Sequence, residues 1–335
     1  MGLISLLKKK NNKTLFTTPS HSGSFFVYHK FYQWYKSDIS EIDVLNPEKA
    51  LLASETQATN IYGTKYTKFL TNGSTSGVIS AVLASRAKKV LIWKDAHPCH
   101  ANAVKLSGAE LIEYELKLDQ ELGLYKAITF DEVVKFVSKY SPDAIIITSP
   151  TYEGFVADVV KISEFCKQNG VKLIVDEAHG ALYPFSDELP VSAVRYADYT
   201  IQSLHKTAGG INPTALLHSN DNNPNESLAL ITTTSPSYPM LATIEANIKF
   251  LNSTRGRKCI KNLISDIKSL GLKQLNDDPT KILLQGGFET SEKLFNKYGI
   301  EDERTNEKTT MLLCGIGTNR TKLRRLKKAL NNLGF

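Results

Sequence analysis

Six short apolar runs, separated by amphipathic stretches, constrain this chain more than any other feature. They are Lys89–Trp93, Glu110–Tyr114, Ala144–Thr148, Lys172–Val175, Tyr199–Ser203 and Thr214–Leu217. Several are apolar at consecutive positions, as strands covered by helices on both sides should be. Between them lie helical patterns such as Ser76–Ala87, Phe130–Lys139 and Ile162–Gln168. This alternation predicts an α/β fold: three layers around a mainly parallel sheet. In open sheets of this kind ligands bind beyond the carboxyl ends of the strands. The residues just after each run are therefore the first candidates for a site.

Around this core the chain divides into three. Residues 1–45 are mixed and aromatic-rich and read as an N-terminal arm, residues 46–255 as a large domain, and residues 256–335 as a small C-terminal α+β domain. A single helical pattern runs from Met240 to about Lys268, and Pro279–Phe335 reads as strand, helix, strand, helix. The Asn-rich stretch Asn220–Ser227 is a surface loop.

Charge and cysteines narrow the function classes. The formal charge of +7 would suit a nucleic-acid surface, but the basic residues are scattered. Their densest clusters, Lys8–Lys10 and Lys322–Lys328, read as solvated ends. Cys99, Cys166, Cys259 and Cys314 are far apart, which fits free thiols in a reducing compartment. No apolar run is long enough to span a bilayer. In Met1–Leu7 the basic residues follow the apolar ones, the reverse of a secretory signal. A cytoplasmic protein without nucleic-acid or membrane partners is expected.

Four polar constellations follow strand or loop ends. Thr71–Gly77 (TNGSTSG) leads into a helix. Glycines allow close backbone approach, and the helix start offers unpaired N–H groups to a phosphate. Ser and Thr also favour an ordinary N-cap, so that reading stands beside the first. Asp176-Glu-Ala-His179 ends the run Lys172–Val175 and is either a functional acid group or a solvated acidic turn. It lacks the HExxH spacing of a zinc site, and the chain lacks the P-loop that a helicase would need. Ser203-Leu-His-Lys-Thr207 places Lys206 where burial would lower its pKa and make it nucleophilic; most lysines at such positions are simply exposed. His97-Pro-Cys-His100 is too crowded for a structural zinc site, and no metal is expected; an imidazole packing on a flat ring is the better functional reading.

A phosphate cradle, an acid and an imine-forming lysine are together what pyridoxal 5'-phosphate requires. Its phosphate needs the helix start, its aldehyde the amine, and its pyridine nitrogen a carboxylate. The chain resembles the major domain of the ornithine/lysine/arginine decarboxylases, within the aspartate-aminotransferase-like (fold type I) pyridoxal-phosphate enzymes. The resemblance rests on Thr18–Gly23, Asn72–Thr75, Leu106–Ala109, Thr148–Tyr152, Val175–Gly180, Ser203–Thr207, Thr233–Tyr238 and Asp278–Lys281.

The resemblance implies roles. Residues 46–255 would bind the coenzyme. Lys206 would carry it as an imine, Asp176 would pair with its ring nitrogen, and His97 would stack on the ring. Gly73, Ser74, Thr75, Ser203 and His205 would hold the phosphate. Ala178 would pack under the ring, with His179 beside it and Thr151 near the phenolic oxygen. Thr233–Tyr238 would approach the site of a second subunit in a homodimer. The reaction implied is decarboxylation of a basic amino acid (lysine, arginine or ornithine) through an imine with the substrate. Transamination, aldol cleavage or elimination uses the same groups, and a regulatory coenzyme-binding protein without turnover is a third reading. Glu153 and Glu303 are candidates for a distal substrate cation, and Arg304, Arg320, Arg324 and Arg325 for a substrate carboxylate.

The sequence departs from the family pattern around the pocket. The family's Pro-Gly-His-Lys-Gly is Pro19-Ser-His-Ser-Gly23, its His-Lys-Ser is His97-Pro-Cys99, and Gly209–Thr214 replaces a run containing Leu-Thr-Gln.

Overall fold

A computed structural model describes residues 14–16 and 47–335. The arm's remaining residues, including Lys8–Lys10 and Thr18–Gly23, lie outside the described residues. A seven-stranded sheet forms the centre: β1 (Tyr66–Leu70), β2 (Lys89–Trp93), β3 (Glu110–Tyr114), β4 (Ala144–Thr148), β5 (Lys172–Asp176), β6 (Tyr199–Ser203) and β7 (Ala215–Ser219). The strand order is β1-β7-β6-β5-β4-β2-β3. Strands β3, β2, β4, β5 and β6 pair in parallel, and β7 runs antiparallel to both β6 and β1. The sheet is thus mainly parallel, as the alternation predicts.

Why the strands are apolar at consecutive positions is visible in the two cores. Val90, Ile92, Ala144, Ile146 and Ile174 face one layer, packed under α2 (Gly73–Ser85) and α3 (Cys99–Ser107). Leu91, Ile145, Ile147, Leu173 and Val175 face the other, packed with Val133 and Val137 of α4 (Phe130–Tyr140) and Ile162 of α5 (Val159–Gln168). Successive side chains of a strand point to opposite faces, so burial on both demands an unbroken apolar run.

Strand β1 is not among the predicted runs, because Lys68 interrupts it. Lys68 is nevertheless buried, and its Nζ pairs with Glu55 Oε2 at 2.7 Å. Glu55 lies on α1 (Pro47–Tyr62), and its Oε1 also accepts from the Phe69 N–H at 3.1 Å.

The single helix expected over Met240–Lys268 is two: α6 (Tyr238–Asn252) and α7 (Thr254–Lys268). Ser253 adopts an extended backbone between them, and its side chain caps α7 by accepting from the Gly256 N–H. A Cβ at Gly256 would lie 2.0 Å from the Phe250 carbonyl oxygen, so this tight break requires glycine. Both helices bury apolar residues at helical spacing, but the buried face changes across the break, from Leu241, Ile244, Ile248 and Leu251 to Ile260, Leu263, Ile264 and Ile267.

Beyond α7 a small antiparallel sheet forms from β8 (Lys281–Gln285), β9 (Arg304–Thr305) and β10 (Thr309–Leu313), in the order β8-β10-β9. Helices α8 (Gly287–Tyr298) and α9 (Arg320–Leu333) flank it. On α9 the buried Leu323, Leu326, Ala329 and Leu330 form one face, and the basic cluster lies mostly on the exposed one. Phe16 is fully buried in the core that joins this sheet to α1 and α6. Its carbonyl accepts from the Leu313 N–H. Among the described residues no helix is long and apolar enough to cross a membrane.

Candidate active site

The carboxyl ends of β1, β2, β4, β5 and β6 border one cavity of about 700 Å³. The segment before the antiparallel β7, Asn212–Pro213, closes the same edge. Gly73, Ser74, Thr75, His97, Thr151, Asp176, Ala178, His179, His205 and Lys206 all line it. Ser203 does not: it is fully buried behind the wall, and its Oγ has no hydrogen-bond partner among the described residues.

Each element positions its residue for a local reason. Gly73 has φ +82°, a left-handed conformation that suits glycine as β1 turns into α2. The N-cap Asn72 makes no side-chain cap hydrogen bond, so the first N–H groups of α2 are left for another acceptor. Asp176 is the last residue of β5. Its Oδ1 accepts from the Ala178 N–H at 3.1 Å and its Oδ2 contacts His100 Nε2 at 2.9 Å. Burial pushes the Asp176 carboxyl up, but the His100 hydrogen bond, with Lys206 and the Ala178 N–H, outweighs it and holds its pKa below the ordinary value. It remains an anion despite its burial.

Lys206 sits in the short helical turn after β6, half-buried. Its Nζ is 3.1 Å from His179 Nε2. Burial lowers the amine's pKa, against the pull of Asp176 and Glu303. His179 is buried and its pKa is held well down, first by burial and then by Lys206 and Lys281. His205 Nδ1 contacts the Thr214 carbonyl at 3.1 Å, so that nitrogen carries the proton. His97 is exposed at the rim, and its Nδ1 accepts from the Cys99 N–H. The Thr151 Oγ1 is used within its own turn, accepting from the Phe155 N–H.

The opposite wall comes from the small sheet. Arg304 and Asn306 line the cavity, and Arg304 pairs with Glu153 Oε1 at 3.1 Å. The Tyr152 hydroxyl contacts Glu303 Oε1 at 2.5 Å, and the Tyr152 ring lies 4.7 Å from the His179 ring. Burial raises the Glu153 pKa, with Arg304 opposing. Arg320 instead pairs with Asp266, and Arg325 holds the Tyr298 carbonyl; neither these nor Arg324 line the cavity. Thr233–Ser235 are exposed and lie outside this cavity, while Tyr238 starts α6 and is buried.

Two contributions escape sequence reading. His100 stands in the sequence only as part of a crowded His-Cys-His run, yet α3 carries it onto Asp176. The available signal was its place at the start of a helix just after the strand run Lys89–Trp93. Tyr125 and Asn306 reach the cavity from segments that carry no pattern. Cys99, His100 and Asp176 do bring three ligand atoms within 4.8 Å of one another. Burial pushes the Cys99 thiol up to about 12, and a ligating cysteine must be a thiolate. The cluster reads as a hydrogen-bond network.

The donor set suits a phosphorylated carbonyl compound with a basic ring: an amine of lowered pKa, a buried anion, and an uncapped helix start. Ser203 is no part of that set, since its unpartnered hydroxyl is fully buried and off the cavity lining.

Known proteins agree with this architecture. The family model described as Orn/Lys/Arg decarboxylase, major domain, matches residues 3–282. The arginine decarboxylase of Bacillus anthracis is 27% identical over 367 aligned residues, covering 97% of this chain and 74% of that protein. The solved structure of the E. coli constitutive lysine decarboxylase superposes with a TM-score of 0.74 at 21% identity, over 91% of this chain; the chain spans 55% of that one. An alanine–glyoxylate aminotransferase from Nostoc sp. superposes with a TM-score of 0.70 at 13% identity, over 96% of this chain and 95% of that one. With its model matched across most of the sequence, the chain belongs to the Orn/Lys/Arg decarboxylase major-domain family.

Proposed function

We propose that the chain is a pyridoxal-5'-phosphate-dependent amino-acid decarboxylase, a carboxy-lyase acting on arginine, lysine or ornithine. One observation carries the reading: the Lys206 amine, the Asp176 carboxylate and the uncapped start of α2 open onto one cavity. The names of relatives, arginine decarboxylase and lysine decarboxylase among them, support it.

When bound, the coenzyme supplies an aldehyde for an amine to condense with and a pyridine ring that accepts electrons. Lys206 is the covalent anchor, because burial leaves more of its amine neutral than in a free lysine. Asp176 keeps a proton at the ring nitrogen. Gly73, Ser74 and Thr75 bind the phosphate at the helix start. Ser203, fully buried and off the cavity lining, would have to turn its hydroxyl inward to reach the same group, and His205 would add its Nε2 when protonated. His97 would cover one face of the ring, with the small Ala178 under the other. Thr151 would stand near the ring's phenolic oxygen. His179 Nε2 exchanges a proton with Lys206 Nζ across their 3.1 Å contact. Glu153 receives the distal cation of the substrate, displacing Arg304 from its side. Residues 46–255 form the coenzyme domain and 256–335 the small domain. The working unit is a homodimer in the cytoplasm, with the exposed Thr233–Ser235 reaching the neighbouring site, and it binds neither nucleic acid nor membrane.

The test is to add the coenzyme to purified protein and record visible absorbance, then reduce with borohydride and find the modified peptide by mass. Expected is a band lost in Lys206→Ala and a label on Lys206, with carbon dioxide released from at least one of the three amino acids. A protein that stays colourless, or a band that survives Lys206→Ala, sinks the reading. One observation favours transamination as second choice: Arg304 lines the cavity and is suited to a substrate carboxylate. A keto-acid product in place of carbon dioxide would select it. Coenzyme bound without any product would mark a regulatory protein.

A further inference from the structure

His100 is fully buried on the first turn of α3, and its Nε2 lies 2.9 Å from Asp176 Oδ2. Its Nδ1 has no hydrogen-bond partner among the described residues. A doubly protonated ring would leave an N–H donor unpaired in the core, whereas a ring protonated at Nε2 alone leaves only a lone pair there. The arrangement therefore favours a neutral imidazole donating to an ionised carboxylate. The Ala178 N–H holds the other oxygen at 3.1 Å. With one donor on each oxygen, the carboxylate plane is fixed and its remaining lone pairs are left for a ligand. A neutral donor does this without cancelling the charge.

We propose that His100 is a positioning residue that fixes and preserves the Asp176 anion for a protonated ring nitrogen in the cavity. This rests on the reading above, in which Asp176 meets the nitrogen of pyridoxal phosphate. His100 acts through Asp176 alone and does not line the cavity. Its contribution is therefore specific to ligands that carry that nitrogen.

The experiment measures coenzyme affinity and absorbance for the wild type, His100→Leu and His100→Gln. Each protein is tested with pyridoxal phosphate and with its analogue carrying carbon in place of the ring nitrogen. Expected for His100→Leu is at least a tenfold weaker affinity for pyridoxal phosphate and a shifted visible band. His100→Gln, which retains an N–H donor, should stay within threefold of wild type. The nitrogen-free analogue should bind wild type and His100→Leu within threefold of each other. Should His100→Leu not fold, His100→Ala replaces it, and added imidazole should restore its affinity for pyridoxal phosphate. Equal losses with both ligands would mean packing alone and would overturn the proposal, as would unchanged affinity in His100→Leu or in His100→Ala. One equivalent of zinc in the purified protein would also overturn it, because Cys99, His100 and Asp176 would then be ligands. A wild-type protein that takes up no coenzyme would reject the underlying reading as well. Uptake by wild type with no effect of His100→Leu would reject this inference alone.

Discussion

Lys206 Nζ and His179 Nε2 lie 3.1 Å apart. A second lysine reaches the same histidine from the small antiparallel sheet: Lys281 Nζ contacts the His179 carbonyl oxygen at 3.4 Å. Lys206 thus connects through one residue to the junction of the large and small sheets. Lys281 is paired with Asp278, both side chains are fully buried, and Asp278 also accepts from the Tyr183 hydroxyl at 2.8 Å.

This junction is structural before it is catalytic. Replacing Asp278 by Ala leaves the Lys281 cation buried without its partner. Breaking a buried pair from one side costs roughly 3–5 kcal/mol. Asp278→Ala should therefore lower the denaturant midpoint strongly, with coenzyme affinity falling as a consequence, whereas an exposed pair such as Lys94–Glu115 should hardly register when broken. Urea titration of both variants checks the contrast.

The chemistry of Lys206 should show in its pH profile. Burial lowers its pKa from 10.5, and the negative charge of Asp176 partly restores it. The fraction of neutral amine therefore rises at lower pH than in a free lysine. Labelling of Lys206 in apoprotein by an amine-reactive probe, followed by peptide mass, should have its midpoint below pH 10.5. In Asp176→Asn the stabilising anion is gone, so the inflection should move to still lower pH. A shift upward would contradict the placement of the two charges.

Glu153 should govern substrate choice and not coenzyme binding. It is buried, paired with Arg304, and lines the wall away from the α2 start. Glu153→Gln removes the charge at nearly constant shape. The apparent KM for a dibasic substrate should rise at least about tenfold, the size of one charge-assisted hydrogen bond of 1.5–3 kcal/mol. The absorbance of bound coenzyme should be unchanged. Steady-state kinetics beside a coenzyme titration separates the two effects.

Gly77 sets how closely α2 lies on the sheet. A Cβ there would fall 2.8 Å from Leu70 Cδ1 and 2.9 Å from Ile201 Cγ2. Gly77→Ala overpacks this contact, which typically costs about 1–3 kcal/mol. It should lower thermal stability and, by lifting the start of α2, weaken affinity for inorganic phosphate. Calorimetry and phosphate titration of the apoprotein measure both.

Much of this was legible in the sequence because covered strands record their burial locally. Strands β2, β4 and β5 lie where consecutive apolar residues placed them, since a strand buried on both faces has no position to spare for water. The site residues followed from the same logic: they stand directly after strands, and an open parallel sheet collects its strand ends along one edge. Strand β1 was illegible because Lys68 is compensated by Glu55, a residue on another element. The break at Ser253 leaves helical spacing on both sides, so each side alone reads as helix, and only the buried face changes across it.

Tertiary structure alone decided which groups meet. His100 and Asp176 are separated by 76 positions, and Tyr152 and Glu303 by 151. No local pattern encodes such pairs. They arise when the sheet order brings β2 and β5 to either side of β4, and when the small sheet closes over their ends. Periodicity reports which face of an element is dry, because burial acts on each residue separately. Hydrogen bonds and ion pairs depend on the distance between two side chains, and that distance exists only once the layers have packed.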